Sequence, residues 1–466
     1  MREAFRHHVE SRNLIPKGAR VLVGYSGGAD STCLLSLLVS CGFDVIAAHL
    51  HHGQRGEADN ELRLCEAFAN DLGVPFAAGH ADVPEISRTM KIGLEEAGRH
   101  ARYEFFRQAA FRLECPLIAT AHTRDDFVET VILHMTRGSG LAGLAGIPEI
   151  RDHVIRPLLP FTRAETRAYC DENGLWTHDD PANSDVNFSR ARVRLRVLPE
   201  LRAINPSVDD AIVRLASVAD EENRFLDGMA ARALEETEVA VNGELGFVTR
   251  DCEVVLRRDH LVTLPPVLLA RALRLGVQAV GGQLDRDQTA LIQSGLLSSE
   301  KGAVTSEAGT VVVEWSAENI HIRQVEPVAP FRFPVTNPGE TESAEFGWVI
   351  QASPTPLPNA KLDARTALSV QLDAAKVKGG LSLRSLEEGD RIQPLGFEGT
   401  RKISDLLGEA RLTLAARRRL PMICDILGVV WVPGVCLADR VRVSDDTERS
   451  LWLRFTNLET RHDPQA

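Results

Sequence analysis

The stretch Arg20-Val21-Leu22-Val23-Gly24-Tyr25-Ser26-Gly27-Gly28-Ala29-Asp30-Ser31-Thr32 constrains this chain more than any other. Val21 to Tyr25 is an apolar run of the length expected for a strand buried on both faces of a parallel sheet. Ser26-Gly27-Gly28 then turns the chain with two residues that tolerate positive φ and let a ligand approach the backbone. Asp30 or Ser31 can cap the buried helix predicted over Cys33 to Val39. A strand, a glycine-rich turn and a helix start make an anion site, because free N–H groups and the positive dipole end face the ligand.

The next segments repeat the alternation. Strands are predicted at Asp44–Leu50, Pro75–Gly79 and Pro116–His122, and helices at Asn60–Leu72, Leu94–Leu113 and Asp125–Met135. Such alternation implies an α/β fold with a doubly wound parallel sheet, whose ligands bind outside the carboxyl ends of the strands. Three of those ends carry unusual residues: Ser26–Asp30, His49–Arg55 and His122–Glu129.

The 466 residues exceed one core, so several domains are expected. We assign 1–200 to the parallel-sheet domain and 201–325 to a mainly helical middle domain with short strands, including a weak one at Gly246–Thr249. Residues 326–365 are rich in Pro, Glu, Ser and Thr and read as a linker or irregular edge. Residues 366–466 read as a small α+β domain.

A net charge of −12 argues against broad coating of nucleic acid. It leaves room for a local basic face at Arg190–Arg196, Arg401-Lys402 or Arg417–Arg419, the plain alternative being solvated helix surface. The eight cysteines show no Cys-x-x-Cys spacing, which argues against zinc ribbons and disulfide scaffolds and fits a reducing cytoplasm. No run reaches transmembrane length and no membrane partner is expected.

The turn lacks the lysine of a Walker A loop and the spacing of a dinucleotide fingerprint. Ser-Gly-Gly-x-Asp-Ser instead resembles the pyrophosphate (PP) loop of the N-type ATP pyrophosphatases. In His49-x-x-His52-Gly53-x-Arg55, strand-end hydrogen bonding outweighs metal ligation, since no third ligand is evident. Asp126 and Glu129 lie three apart on a helix, so they share a face near a strand end. Carboxylates there can hold Mg²⁺, orient an amine or act as bases.

An ordered set of motifs then resembles the tRNA(Ile)-lysidine synthetases. It comprises residues 26–31 and 49–55, Glu96-x-x-Arg99-x-x-Arg102-Tyr103, Ala121–Thr130, Arg137–Leu141, Ile155–Leu159, Asp180–Asn183, Phe188–Arg194, Glu388–Gly396 and Gly399–Lys402. Two departures from the family pattern stand out, Ala191 in place of asparagine and Gly98 in place of alanine. The region 200–370 matches loosely.

The resemblance implies ATP-dependent attachment of free L-lysine to ring position 2 of the wobble cytidine in tRNA(Ile) with a CAU anticodon. It implies a cradle for ATP at Ser26, Gly27, Gly28, Ala29, Asp30 and Ser31, with His49 and Arg55 nearby. Asp30 and Asp126 are expected to orient or deprotonate the amine, and Arg102 and His122 to serve the adenylate. Glu129, Arg137, Arg190, Arg194, Arg391, Arg401 and Lys402 are expected at lysine or tRNA, with Arg384 also gripping the tRNA body. Mg²⁺ is expected with ATP, Asp126 or Glu129 being its candidate ligands. A homodimer is compatible with all of this. A sulfur-inserting tRNA thiolase is the nearest rival, disfavoured by the missing paired cysteines.

Overall fold

Val21, Leu22 and Val23 are completely buried, as a central strand requires. The computed structural model in which they lie describes residues 1–51, 58–178, 186, 188–306, 308–325, 328–357 and 368–459. Two compact units are present, Met1–Arg224 and Phe225–Ala466.

The first unit runs α1 (Arg2–Ser11), β1 (Val21–Gly24), α2 (Ala29–Ser40), β2 (Val45–His51), α3 (Ala58–Asp71), β3 (Phe76–His80), α4 (Val83–Met90) and α5 (Leu94–Arg112). It continues with β4 (Leu117–Ala119), α6 (Arg124–Thr136), α7 (Leu141–Leu144), β5 (Ile150–Arg151), β6 (Val154–Ile155) and α8 (Arg163–Glu172). After α9 (Ser189–Arg192) comes a π-helical turn, Val193–Val197, and then α10 (Leu198–Ile204). The helix α11 (Val208–Thr237) carries the chain onward.

The sheet order is β3-β2-β1-β4-β6-β5, parallel throughout except for β5. Val21, Val23 and Tyr25 pack with Leu34, Leu35 and Leu38 of α2 on one face. On the other face, Leu22, Ile46 and Ile118 meet Phe106, Ala109 and Ala110 of α5. The sheet is thus doubly wound, as the alternation predicts. Gly24, the last residue of β1, leaves room for the Phe106 ring, since a Cβ there would sit 2.7 Å from it. Chain order reverses beside β1, with β2 on one side and β4 on the other, and this opens a crevice at their carboxyl ends.

In the second unit a four-stranded antiparallel sheet has the order Glu253–Arg257, Asn319–Gln324, Val311–Trp315, Gly302–Thr305. Helices Pro266–Ala279 and Arg286–Ser298 bury Leu273, Val277, Ile292 and Leu296 against it. The weak strand expected at Gly246–Thr249 is instead a 3₁₀ turn, Gly243–Val248. Asn242 precedes it at φ +67° and bonds Thr249 at 3.0 Å, which folds the segment back on itself.

The distal core gathers Trp348, Trp431 and Phe455 between a five-stranded and a four-stranded sheet. Residues 326–365, expected as a linker or irregular edge, supply three strands to these sheets: Arg332–Pro334, Gly339–Ser343 and Trp348–Ser353. The first two lie at sheet edges, where proline and charged side chains are tolerated and the hydrophobic alternation is weak. Asn337-Pro338, between these two edge strands, is a cis peptide.

Candidate active site

The turn after β1 is built as an open anion cradle. Gly27 takes φ +77°, and a Cβ there would lie 3.0 Å from Cys65 Sγ and 3.1 Å from the Trp176 ring. Gly28 is the N-cap of α2, with no side chain spent on the first-turn N–H groups. Asp30 and Ser31, expected as caps, therefore lie inside the first turn. Ser31 Oγ donates to the Gly28 carbonyl at 2.9 Å and accepts from the Ser26 N–H at 3.2 Å. The His178 N–H donates to the Gly27 carbonyl at 2.8 Å, so the segment after α8 braces the loop. His49, expected at ATP, is buried with Nδ1 2.9 Å from the Tyr25 carbonyl and so holds the entry to the turn. Arg55, His52 and Asp180–Asn183 lie outside the described residues.

Carboxylates converge on the same end of the sheet. Thr123 caps α6 in a reciprocal box, its N–H 2.9 Å and its hydroxyl 3.0 Å from Asp126 Oδ2. This box exists because Asp126 is the third residue of the helix. Glu129, one turn on, is fully buried.

Arg163 is the cation among them. Its guanidinium donates to Asp126 Oδ1 at 2.8 Å and Glu129 Oε1 at 3.1 Å, and Nε lies 3.5 Å from Asp30 Oδ2. The Thr166 hydroxyl donates to Asp30 Oδ1. Neither Arg163 nor Thr166 was singled out from the sequence. The available signal was the Thr162-x-x-Glu165 capping box, which marks where α8 begins but not what its first turn faces.

The electrostatics follow from these contacts. Burial raises the Asp30 carboxyl above its ordinary value, opposed by Thr166 and Arg163. Burial also works against ionised Asp126, but Arg163 and the Thr123 N–H outweigh it and hold that carboxyl below its ordinary value. Arg163 is raised despite burial, by Asp126 and Glu129. His122, bonded through Nδ1 to Thr120 at 3.0 Å, is pushed down to about 4 by burial, with Asp126 opposing and Arg156, Arg190 and Arg99 assisting. It is neutral at pH 7.

Other expected residues divide into groups. Arg102 lies on α5 and keeps solvent access. Arg194, expected at tRNA or lysine, turns inward and grips both Glu129 oxygens at 2.7 and 3.1 Å. Arg190 donates to Thr130 Oγ1 at 3.2 Å. Arg137 is exposed at the C-cap of α6. Ala29 is the first residue of α2.

Glu129 has both oxygens engaged by Arg163 and Arg194, so a metal there would have to displace a guanidinium. Asp126 gives Oδ2 to its own cap and accepts from Arg163 through Oδ1. Among the described residues no cluster of three or more His, Cys, Asp or Glu is arranged for a metal ion.

In the second unit Arg384 is buried and bidentate to Asp390, both bonds 2.7 Å, so it is structural rather than a phosphate grip as expected. Arg391 bonds Thr400 at 3.2 and 3.1 Å. Arg401 pairs with Glu409, and its guanidinium lies 5.9 Å from the exposed Phe397 ring. Lys402 is exposed.

A doubly wound parallel sheet with this loop at its switch point defines a PP-loop ATP-binding protein, and residues 2–201 match the PP-loop domain family. Residues 381–453 match the TilS substrate C-terminal domain. The tRNA(Ile)-lysidine synthase of Symbiobacterium thermophilum is 31% identical over 96% of this chain and 96% of its own length. That of Dehalococcoides mccartyi is 29% identical over 98% and 99%. The chain belongs to the tRNA(Ile)-lysidine synthase family. A U34-tRNA thiolase from Methanococcus maripaludis overlays 47% of this chain and 78% of its own at 19% identity and a TM-score of 0.40.

Proposed function

We propose that the protein ligates free L-lysine to carbon 2 of the wobble cytidine in tRNA(Ile) bearing a CAU anticodon, with ATP cleaved to AMP and pyrophosphate. The observation that carries this reading is the convergence of an ATP-type anion cradle with three carboxylates already holding a guanidinium. A pocket that stabilises one organic cation is chemically suited to an ammonium.

Cytidine's 2-oxo oxygen is a poor leaving group. Its attack on the α-phosphorus expels pyrophosphate and turns it into an AMP ester. The ε-amine of lysine then forms the new C–N bond at carbon 2 as AMP departs with that oxygen. Ser26, Gly27, Gly28 and Ser31 hold the pyrophosphate through backbone N–H and hydroxyl groups, and the α2 dipole stabilises its growing charge. Mg²⁺ bound with the ATP phosphates would neutralise their charge as pyrophosphate leaves.

An amine with an ordinary pKa of about 10.4 must lose a proton before it attacks. Asp30, made more basic by burial, accepts that proton, while the ionised Asp126 orients the ammonium. Neutral His122 and Arg102 face the adenylate. The wobble base must leave its stack for its ring carbon to be reached. Lys402, Arg391 and Arg401 contact the tRNA backbone by charge.

The test incubates the protein with ATP, Mg²⁺, radiolabelled lysine and unmodified tRNA. Expected is acid-precipitable label that resists mild base and disappears with Asp30→Asn or with a changed wobble cytidine. Base-labile label would indicate aminoacylation instead. No label from a preparation that binds ATP would overturn the reading.

A further inference from the structure

A second group of charges, Arg99, Arg156 and Arg190, acts on His122. Arg156 immediately follows β6, at the carboxyl end of a strand that pairs with β4, the strand leading to Thr120 and His122. Its side chain is only 4% exposed. One terminal nitrogen donates to the Pro148 carbonyl at 2.6 Å, the Tyr103 hydroxyl is a further partner, and Nε is buried with no partner in the structure.

Arg99, Arg102 and Tyr103 sit at positions i, i+3 and i+4 of α5, so they share one face of that helix. The Arg99 guanidinium lies 5.0 Å from the Tyr103 ring centre. Arg190 of α9 donates to Thr130 of α6, and its charge and that of Arg99 lower both His122 and Arg102.

Among the described residues no carboxylate pairs with Arg99, Arg156 or Arg190. Glu149, whose carbonyl accepts from the Arg156 N–H at 3.0 Å, turns its carboxylate to His8 and Arg12 instead. Burying one guanidinium without a counter-ion is costly, and adding like charges around it compounds the cost. The arrangement contrasts with Arg163 a few residues along, which has three carboxylates. Such a deficit is expected where an anion is a substrate rather than a side chain.

We propose that Arg156, Arg99 and Arg190, with Tyr103, form a phosphate-binding pocket separate from the pyrophosphate cradle at Ser26–Ser31. Its ligand is a phosphate group, either a backbone phosphate of the tRNA next to the target nucleotide or the α-phosphate of ATP. In the first case the pocket holds the flipped nucleotide by its backbone. In the second it steadies the phosphorus during adenylation. Guanidinium suits both, since it offers paired donors in a plane and stays charged at any working pH. The choice between sources rests on the function proposed above; the pocket's demand for an anion does not.

The experiment compares full-length wild type with Arg156→Gln, Arg156→Lys and the exposed-site variant Arg99→Gln, measuring tRNA affinity against salt and ATP affinity separately. A tRNA phosphate predicts about tenfold weaker tRNA binding and a slope of log affinity on log salt smaller by about 1, with ATP binding unchanged. An ATP phosphate predicts the reverse pattern, and either result supports the pocket. Arg156→Lys should recover part of the loss, since it restores the charge but not the fork. Should Arg156→Gln fail to fold, Arg99→Gln alone decides, because its side chain is exposed. Unchanged affinities for both ligands in folded variants would overturn the proposal. Lysine ligation by wild type in the same preparation separates the two claims: absent ligation with shifted affinities sinks the proposed function and leaves the pocket standing.

Discussion

Arg163 shows how much a single side chain can organise, and how little its local sequence reveals. Asp30, Asp126 and Glu129 come from different turns of two helices, and a third helix supplies the guanidinium that lets them sit together. Glu129→Gln removes a fully buried charge and leaves Arg163 and Arg194 short of a partner. Loss of a partner from a buried pair costs about 3 kcal/mol, so the denaturation midpoint should fall clearly, by a drop that an exposed Glu→Gln control does not share. His122 gives a pH signature. Its folded pKa of about 4 lies below the ordinary 6.5, so the unfolded chain takes up the proton first. Stability should therefore decline as pH falls from about 6.5 toward 4, and His122→Gln should flatten that limb of the unfolding profile. Asp30, Asp126, His122 and Arg102 could be proposed from the sequence because each stands at or beside a motif. Arg163 and Thr166 could not, since facing across a crevice is a property of packing.

At the scale of elements, the glycine-rich turn and the helix it feeds act as one device. Gly27→Ala adds a Cβ in the left-handed region, which costs about 1–2 kcal/mol, and drives it against Cys65 and Trp176. We expect at least tenfold weaker ATP binding by equilibrium titration, with a smaller loss of thermal stability. Gly98, a departure from the family pattern, makes the opposite prediction. It lies inside α5, and a Cβ there would meet Val83 at an ordinary 3.7 Å. Gly98→Ala should raise stability by about 1 kcal/mol in chemical denaturation without changing ATP binding. Ala191, the other departure, is buried within α9, and nothing in the structure explains the change from asparagine. Strands such as β1 and β2 were readable because burial on both faces demands continuous apolar runs. The edge strands of 332–343 were not, because an edge tolerates the polar, proline-bearing composition that also marks a linker.

At the scale of the molecule, an acidic chain of net charge −12 must bind an anionic partner through few, well-placed cations. Arg384 and Lys402 separate the structural from the electrostatic kind. Arg384→Gln should lower the melting temperature, since it strands Asp390 in a half-dry site. Lys402→Gln should leave melting unchanged and reduce the salt slope of tRNA binding by about 1. By itself the sequence determined the doubly wound sheet, the anion-binding turn and the identity of most charged groups around it. Those features rest on local rules: strand and helix periodicity, glycine's freedom at positive φ, and side chains three or four apart sharing a helix face. Only the tertiary structure decided which charges were neutralised. Arg163 and Arg194 are held by carboxylates, Arg384 is locked to Asp390, and Arg156 is buried with no carboxylate partner among the described residues. Pairing depends on distances between elements far apart in the chain, and no local pattern encodes them.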